Sequence, residues 1–298
     1  MRPLKFHPIL KQTLWGGERI IPYKELASEL SRVGESWELS GMPGSESVVA
    51  EGPWTGSTLP ELIGRFGAEL LGKANYARFG QEFPLLVKFI DAREDLSIQV
   101  HPDDELARMR HGNSGKCEMW YVLEAEPGAS LLTGFSRPIA PAEYERRVAD
   151  NTLTDVLNRQ AIASGDVFYL PAGRVHSIGK GSFIVEIQQS SDITYRIYDF
   201  DRRDAAGNSR ELHTELAREA IDFESSENSR ITYAPENNQE VRLVTTPYFT
   251  TSLYTLTART RCDWSATDSF VAIVLLQGSG SLTDNEGNRI DVRQGETW

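Results

Sequence analysis

Two of the five histidines in this 298-residue chain stand in short stretches whose spacing could do chemistry, "LSIQVHPDD" (96–104) and "LPAGRVHSIG" (170–179). Residues two apart in a strand project to one face, so Gln99 and His101 share a face while Val100 takes the other. Glu118 opens the strand-like run "CEMWYVLEA" (117–125), with Lys116 on its face and Cys117 on the opposite one. His176 follows Pro171-Ala172-Gly173, a turn that fixes geometry and would aim the next strand's first side chain inward at a barrel mouth. Two imidazoles, a carboxylate and an amide oxygen form a nitrogen/oxygen donor set suited to Zn²⁺ or a similar divalent ion, with room for water or substrate. A hydrogen-bonded polar cluster inside a barrel is the alternative, and His176 taken alone reads equally as a solvated loop residue. Arg196, in "ITYRIYDF" (193–200), shares a face with Asp192 and Thr194. By its residue type it reads first as a structural salt-bridge partner of Asp192 or Asp199.

These side chains need strands to hold them. "PLLVKFIDA" (84–92), "LSIQVH" (96–101), "CEMWYVLEA", "DVFYLPA" (166–172), "SFIVEIQQS" (182–190) and "ITYRIYDF" all read as strands. So do the later "VRLVTT", "FTTSLYTLTA", "SFVAIVLLQG" and "NRIDVRQG". Many short strands separated by turns predict a mainly β chain, a sandwich, barrel or jelly roll, with helical insertions. One insertion is "STLPELIGRFGAELLG" (57–72), with Ser57 or Thr58 as cap. The stretch 140–160 reads as two short helices, and "LHTELAREAID" (212–222) as a helix capped by Thr214. The polar, apolar-poor stretch 223–240 reads as a linker between a first unit (1–222) and a second β-unit (241–298). "SGDVFYLPAG" (164–173) has an echo in the closing "QGETW", and "LLQGSGSL" (275–282) resembles a Gly-rich hairpin. The second unit therefore reads as a truncated or degenerate copy that carries no metal ligands.

Composition narrows the function classes. A net charge of -12 argues against nucleic acid or anionic membrane as the main partner. No apolar run reaches the roughly 18 residues of a membrane span, and the start lacks an apolar signal region, so a cytoplasmic protein is expected. Cys117 and Cys262 have no C-x-x-C spacing, so neither a disulfide framework nor a thiolate zinc site is expected. Only seven of the 31 basic residues are lysine, which makes Lys88 and Lys116, inside apolar strand text, stand out.

Gly165-x5-Pro171-x-Gly173-x2-His176 resembles the second cupin motif, with Lys180 where that motif ends in Asn. "LSIQVHPDD", "GKCEMWYVL", "GDVFYLPAGRVHSIG" and "SSDITYRIYDFDR", with "TLWGGERI" and "GESWELSG" earlier, closely resemble the short bacterial type I mannose-6-phosphate isomerases in order and spacing. The resemblance implies a cupin jelly roll and a zinc-dependent aldose–ketose isomerase that interconverts mannose 6-phosphate and fructose 6-phosphate through an enediol. It implies one Zn²⁺ per chain on Gln99, His101, Glu118 and His176, and Arg196 as a catalytic residue stabilising the enediolate. Lys116 is the further catalytic candidate, since a lysine near a dication in a closed site has its pKa lowered. Glu186 is another candidate for the base that carries the proton, with orienting His176 or Arg196 as its alternative role, which Asp192 would share; the base itself stays unassigned. Lys88 would face the cavity or lie in a buried ion pair. Trp15 and Glu38, in segments that match the family, would line the pocket or pack its wall. Trp120 is expected in the core, His7 and His213 at packing or surface positions, and His111 in a solvated Gly-rich loop, with a lid that touches the phosphate as the alternative. A cupin isomerase for another sugar, and a non-catalytic sugar-binding cupin, are the rival expectations.

Overall fold

The computed structural model describes residues 2–224 and 228–298. Strands of the first half are β1 (Ile9–Gly17), β2 (Val33–Leu39), β3 (Leu85–Ala92), β4 (Ile98–Val100), β5 (Glu118–Ala125), β6 (Ser130–Phe135) and β7 (Leu157–Ala161). They continue as β8 (Val167–Leu170), β9 (His176–Ile178), β10 (Ser182–Gln189), β11 (Tyr195–Tyr198) and β12 (Arg230–Ile231). Two sheets result, a seven-stranded one in the order β1-β2-β3-β10-β5-β8-β12 and a five-stranded one in the order β11-β4-β9-β6-β7. Every ladder in them is antiparallel, and the jelly roll expected from the sequence is present.

Side-chain alternation explains why the central strands read as unbroken apolar runs, because both faces are covered. On β3, Ile90 and Ala92 enter a core with Trp120, Phe168, Ile184, Leu131 and Ile178, residues drawn from both sheets. Leu85 and Val87 turn outward, into a cluster beneath α2 (Leu59–Phe66) with Leu59, Leu62 and Ile63. The outer face of the five-stranded sheet buries Ile98, Val100, Tyr195 and Ile197 against Tyr144 and Ala217. The inter-sheet face is therefore the one that Lys88, Glu118, Glu186, Gln99, His176 and Arg196 share, by the period of two.

Local chemistry places some boundaries differently from the sequence reading. Thr58, one of the two expected caps, closes a capping box with Glu61. The helix then breaks at Gly67 and Gly72, both at positive φ, into three pieces. The stretch 140–160 is not two helices. It is one helix (Pro141–Ala149), a 3₁₀ turn (Leu153–Val156) and strand β7, whose polar alternation suits a sheet edge. The helix at Thr214–Ala220 is capped by His213 and makes no side-chain cap bond, so Thr214 is its first residue. Of the linker 223–240, residues 225–227 lie outside the described residues. Beyond them, β12 adds to the edge of the seven-stranded sheet through Phe168 and Val167, and Tyr233 donates to the Gly165 carbonyl.

Residues 241–298 carry two separate hairpins, β13 (Val241–Thr245) with β14 (Thr250–Leu253) and β15 (Ser279–Thr283) with β16 (Arg289–Arg293). "SFVAIVLLQG" forms no extended strand; it meets residues 295–298 through the bridge Val274 to Thr297 and the backbone hydrogen bonds on either side of it. The Gly-rich stretch leads into β15 rather than forming its turn, which lies at Asp284–Asn288. This part is tied to the first unit by buried ion-pair chemistry. Lys24 Nζ lies 2.9 Å from both Glu38 oxygens and also donates to the Gly295 carbonyl, and the Thr297 hydroxyl donates to Glu38. No helix among the described residues is long and apolar enough to cross a membrane.

Candidate active site

Two rows of side chains face each other across the inter-sheet space. On the seven-stranded sheet, register sets Lys88 beside Glu186, Glu186 beside Trp120, and Gln188 beside Glu118. On the five-stranded sheet the row is Arg196, Gln99, His176 and Thr133. The turn between β8 and β9 sets the last of the histidines. The Arg174 amide donates to the Pro171 carbonyl, Gly173 stands at φ +84°, and its amide donates to the His101 carbonyl. A side chain at 173 would be strained there and would press the Ala220 carbonyl at 3.0 Å, which accounts for glycine. One turn thus positions both histidines.

His101, Glu118 and His176 are each at most 2% exposed, and one donor atom from each lies within 4.8 Å of the others. Glu118 Oε1 is 3.3 Å from His176 Nε2, and Oε2 is 3.6 Å from His101 Nε2. Donors held about 2.1 Å from a tetrahedral ion stand roughly 3.4 Å apart, so these spacings fit a small divalent cation. The imidazoles are also oriented for it. Nδ1 of His101 donates to the Ile193 carbonyl and Nδ1 of His176 to the Arg174 carbonyl, both at 2.8 Å, which leaves each Nε2 lone pair facing inward. Burial, and for His101 the nearby Lys116, push both pKa values down, so both rings are neutral. Neither Glu118 oxygen accepts a well-formed hydrogen bond, although Lys116 Nζ stands 2.7 Å from Oε2. Buried carboxylate oxygens without donors suit a cation. Gln99 turns Nε2 towards His176 Nε2 at 3.3 Å and accepts from Ser97 through Oε1. As a ligand its amide would be turned over to present oxygen.

A buried ionic network lies behind the cluster. Lys116 Nζ is 3.2 Å from His101 Nε2 and 3.7 Å from Glu186, and Lys88 is 2.9 Å from Glu186 and 3.7 Å from Glu35. Burial alone would raise the Glu186 carboxyl, but Lys116 and Lys88 outweigh it and hold it at about 2. Burial alone would lower Lys88, but Glu186 and Glu35 outweigh it and raise its pKa, so the ammonium is fixed as a cation. Glu186 also accepts from Trp120 Nε1 at 2.8 Å, and the Trp120 ring meets His176 edge-on at 5.5 Å. Trp120 is a core residue, as expected, that also links Glu186 to a histidine of the cluster.

Arg196 lies directly across the ladder from Gln99. It makes no ion pair with Asp192 or Asp199; its Nη1 donates to the Glu211 carbonyl, and its Nε is buried without a partner. Burial, then the neighbouring Arg210, lower its pKa from the usual arginine value, which still leaves it charged.

The remaining candidates separate. Asp192 is exposed and stands outside the cluster, and its backbone carbonyl accepts from the Thr194 hydroxyl. Glu38 turns to Lys24 and the C-terminal segment, and Glu35, three residues earlier on β2, is the carboxylate that reaches Lys88. Odd spacing along β2 puts the two on opposite faces, a parity the sequence carries once β2 is recognised. Trp15 is 5% exposed and packs in the inter-sheet core. His111 bonds the Tyr195 hydroxyl at 2.8 Å, and His213 Nδ1 accepts from the Arg196 amide.

Comparison with known proteins converges on one group. Residues 4–131 match the family model described as phosphomannose isomerase type I, catalytic domain. The chain is 34% identical over 288 residues to mannose-6-phosphate isomerase ManA of Bacillus subtilis, covering 95% of this chain and 88% of that protein. A mannose-6-phosphate isomerase of Streptococcus mutans is 34% identical over 284 residues, covering 94% and 87%. The crystal structure of mannose 6-phosphate isomerase from Bacillus subtilis superposes with a TM-score of 0.83 at 28% identity, over 100% of this chain and 93% of that one.

Proposed function

Since this chain belongs to the type I mannose-6-phosphate isomerases, we propose that it interconverts mannose 6-phosphate and fructose 6-phosphate through an enediol, with one Zn²⁺ held by Gln99, His101, Glu118 and His176. The observation that carries the metal reading is the convergence of two inward Nε2 lone pairs on a buried carboxylate neither of whose oxygens accepts a well-formed hydrogen bond. When bound, a divalent cation supplies Lewis acidity towards a substrate oxygen.

The chain's own residues do the rest. Moving a proton between adjacent carbons builds negative charge on oxygen, and Arg196, across the ladder from Gln99, is a permanent cation that can stabilise it. Lys116 is the second catalytic candidate, because its ammonium reaches the cluster itself and can hold or move a proton there. Glu186 acts through others, fixing Lys88, Lys116 and Trp120. The apolar inter-sheet core, Trp15 included, keeps bulk water from these charges and so strengthens each interaction.

The test is formation of fructose 6-phosphate from mannose 6-phosphate by the purified chain, before chelation, after it, and with zinc restored. Activity lost and regained supports the reading. Activity indifferent to the chelator contradicts the metal assignment, and activity confined to another aldose contradicts the substrate.

A further inference from the structure

A cleft of about 500 Å³ opens between β1, the residues that lead into β2 and the loop after β11. β1 and β11 are the edge strands of the two sheets, so this is where the inter-sheet space opens at one side of the roll. Its lining includes Gln12, Thr13, Trp15, Ser31, Arg32 and Arg210. Trp15 packs in the same core cluster as Trp120, whose ring touches His176.

Charge gathers here against the trend of an acidic protein. Asp199, 5% exposed, accepts from Arg210 Nε at 2.7 Å and Nη2 at 2.5 Å, and Arg202 Nη1 approaches it at 3.4 Å. Arg196 adds a third guanidinium, joined to the same segment through the Glu211 carbonyl. Among the described residues the guanidinium of Arg32 has neither hydrogen bond nor ion pair, although its backbone is held at φ +53° and its carbonyl accepts from Thr13. The other carboxylates near the group, Glu211 and Glu94, are 83% and 50% exposed and therefore screened by water. One buried carboxylate thus orients guanidiniums whose summed charge exceeds its own, with Arg210 keeping Nη1 unbonded. Planar, pre-oriented guanidiniums suit the oxygens of a phosphate monoester.

Resting on the isomerase reading above, we propose that this cleft is the phosphate subsite, with Arg210 and Arg32 binding the substrate's phosphate dianion while the sugar's carbonyl end lies at Arg196 and the metal cluster. Asp199 is three residues along the chain from Arg196, about 10 Å at roughly 3.3 Å per residue, a reach suited to an extended six-carbon phosphate ester. Asp199 is a positioning residue: its two bonds set the plane of Arg210.

The experiment uses the metal-loaded full chain, with inorganic phosphate as probe, read by calorimetry and as a competitor of mannose 6-phosphate turnover. Charge-assisted hydrogen bonds are worth about ten-fold or more in affinity. Arg210→Gln is therefore expected to raise both KM and the phosphate inhibition constant about ten-fold, with kcat changed far less. Arg32→Gln, at an exposed and unpartnered side chain that folding does not need, is expected to raise both about three-fold or more. Unchanged KM and unchanged phosphate affinity in both variants would overturn the proposal. So would a loss of phosphate affinity with KM unmoved, which would make the cleft an anion site unconnected with substrate. A wild-type chain without isomerase activity, but with phosphate binding that still depends on both arginines, would overturn the reading of the reaction and leave the phosphate subsite standing.

Discussion

Replacing Glu118 by glutamine separates two roles of that carboxylate. In the metal-free protein Glu118 is the nearest counter-ion of Lys116, at 2.7 Å, with side chains 1% and 5% exposed. Removing one partner of a buried pair costs about 3–5 kcal/mol, because an uncompensated charge is left behind. Lys116 would retain Glu186 at 3.7 Å, a carboxylate already engaged by Lys88 at 2.9 Å, so the low end, about 3 kcal/mol, applies. For a chain of this length that is roughly a 6 °C fall in Tm. The double variant Lys116→Met/Glu118→Gln leaves no unpaired charge and should recover most of the loss. Added zinc should stabilise the wild type by about 4 kcal/mol at a thousand times its Kd. Glu118→Gln should show little of that increment. Thermal and urea melts in chelator, repeated with zinc, read both quantities. A metal-free Glu118→Gln protein as stable as the wild type would refute the ion-pair argument, and a full zinc increment in that variant would remove Glu118 from the ligand set.

Two further outcomes follow from the same geometry. His176→Ala should lose bound zinc by elemental analysis, whereas Arg196→Ala should keep it and lose turnover; zinc retained in the first variant contradicts the ligand assignment. The Glu186 carboxyl sits at about 2 in the fold against an ordinary 4.5, so the folded state binds its proton more weakly than the unfolded one. Its stabilisation is present in full above about pH 4.5 and is lost as pH falls towards 2. Urea melts of metal-free wild type should therefore decline more steeply below pH 4.5 than those of Glu186→Gln, and equal declines would contradict the reversed order of its pKa.

The parity of strand text made much of the site legible. Gln99 with His101, and Lys116 with Glu118, could be set on shared faces because β4 and β5 follow the period of two. What the sequence hid depends on pairing. The pairing of β1 with β2 shifts register at Lys11/Gln12 and at Gln12/Gly17, so Glu35 is not legible from alternation, and Glu38 stands out only through the family-like segment "GESWELSG". β7 reads as helix because "LNRQA" is polar on one side, as an edge strand allows. Arg210 was invisible because only the return of the 199–211 loop brings it to Asp199. "SFVAIVLLQG" has the residue types of a strand, yet among the described residues it pairs only with the short segment 295–298, which is too brief to make a ladder.

The polar column inside an otherwise apolar sheet also ties the metal to the lysine. Glu118 and Glu186 face Lys88 and Lys116, with both histidines neutral, so the fully buried ions pair off, and Glu35, 18% exposed, adds a carboxylate at the rim. The ligand atoms themselves set where Lys116 can be. His101 Nε2 has one lone pair, which at present accepts from Lys116 at 3.2 Å, and it cannot serve an ammonium and a metal ion together. Glu118 Oε2 is contested in the same way. A cation held there would displace Lys116 from both and leave Glu186, at 3.7 Å, as its remaining partner on this wall. On the role proposed for Lys116, loading the cluster would therefore also free its ammonium from the ligand atoms.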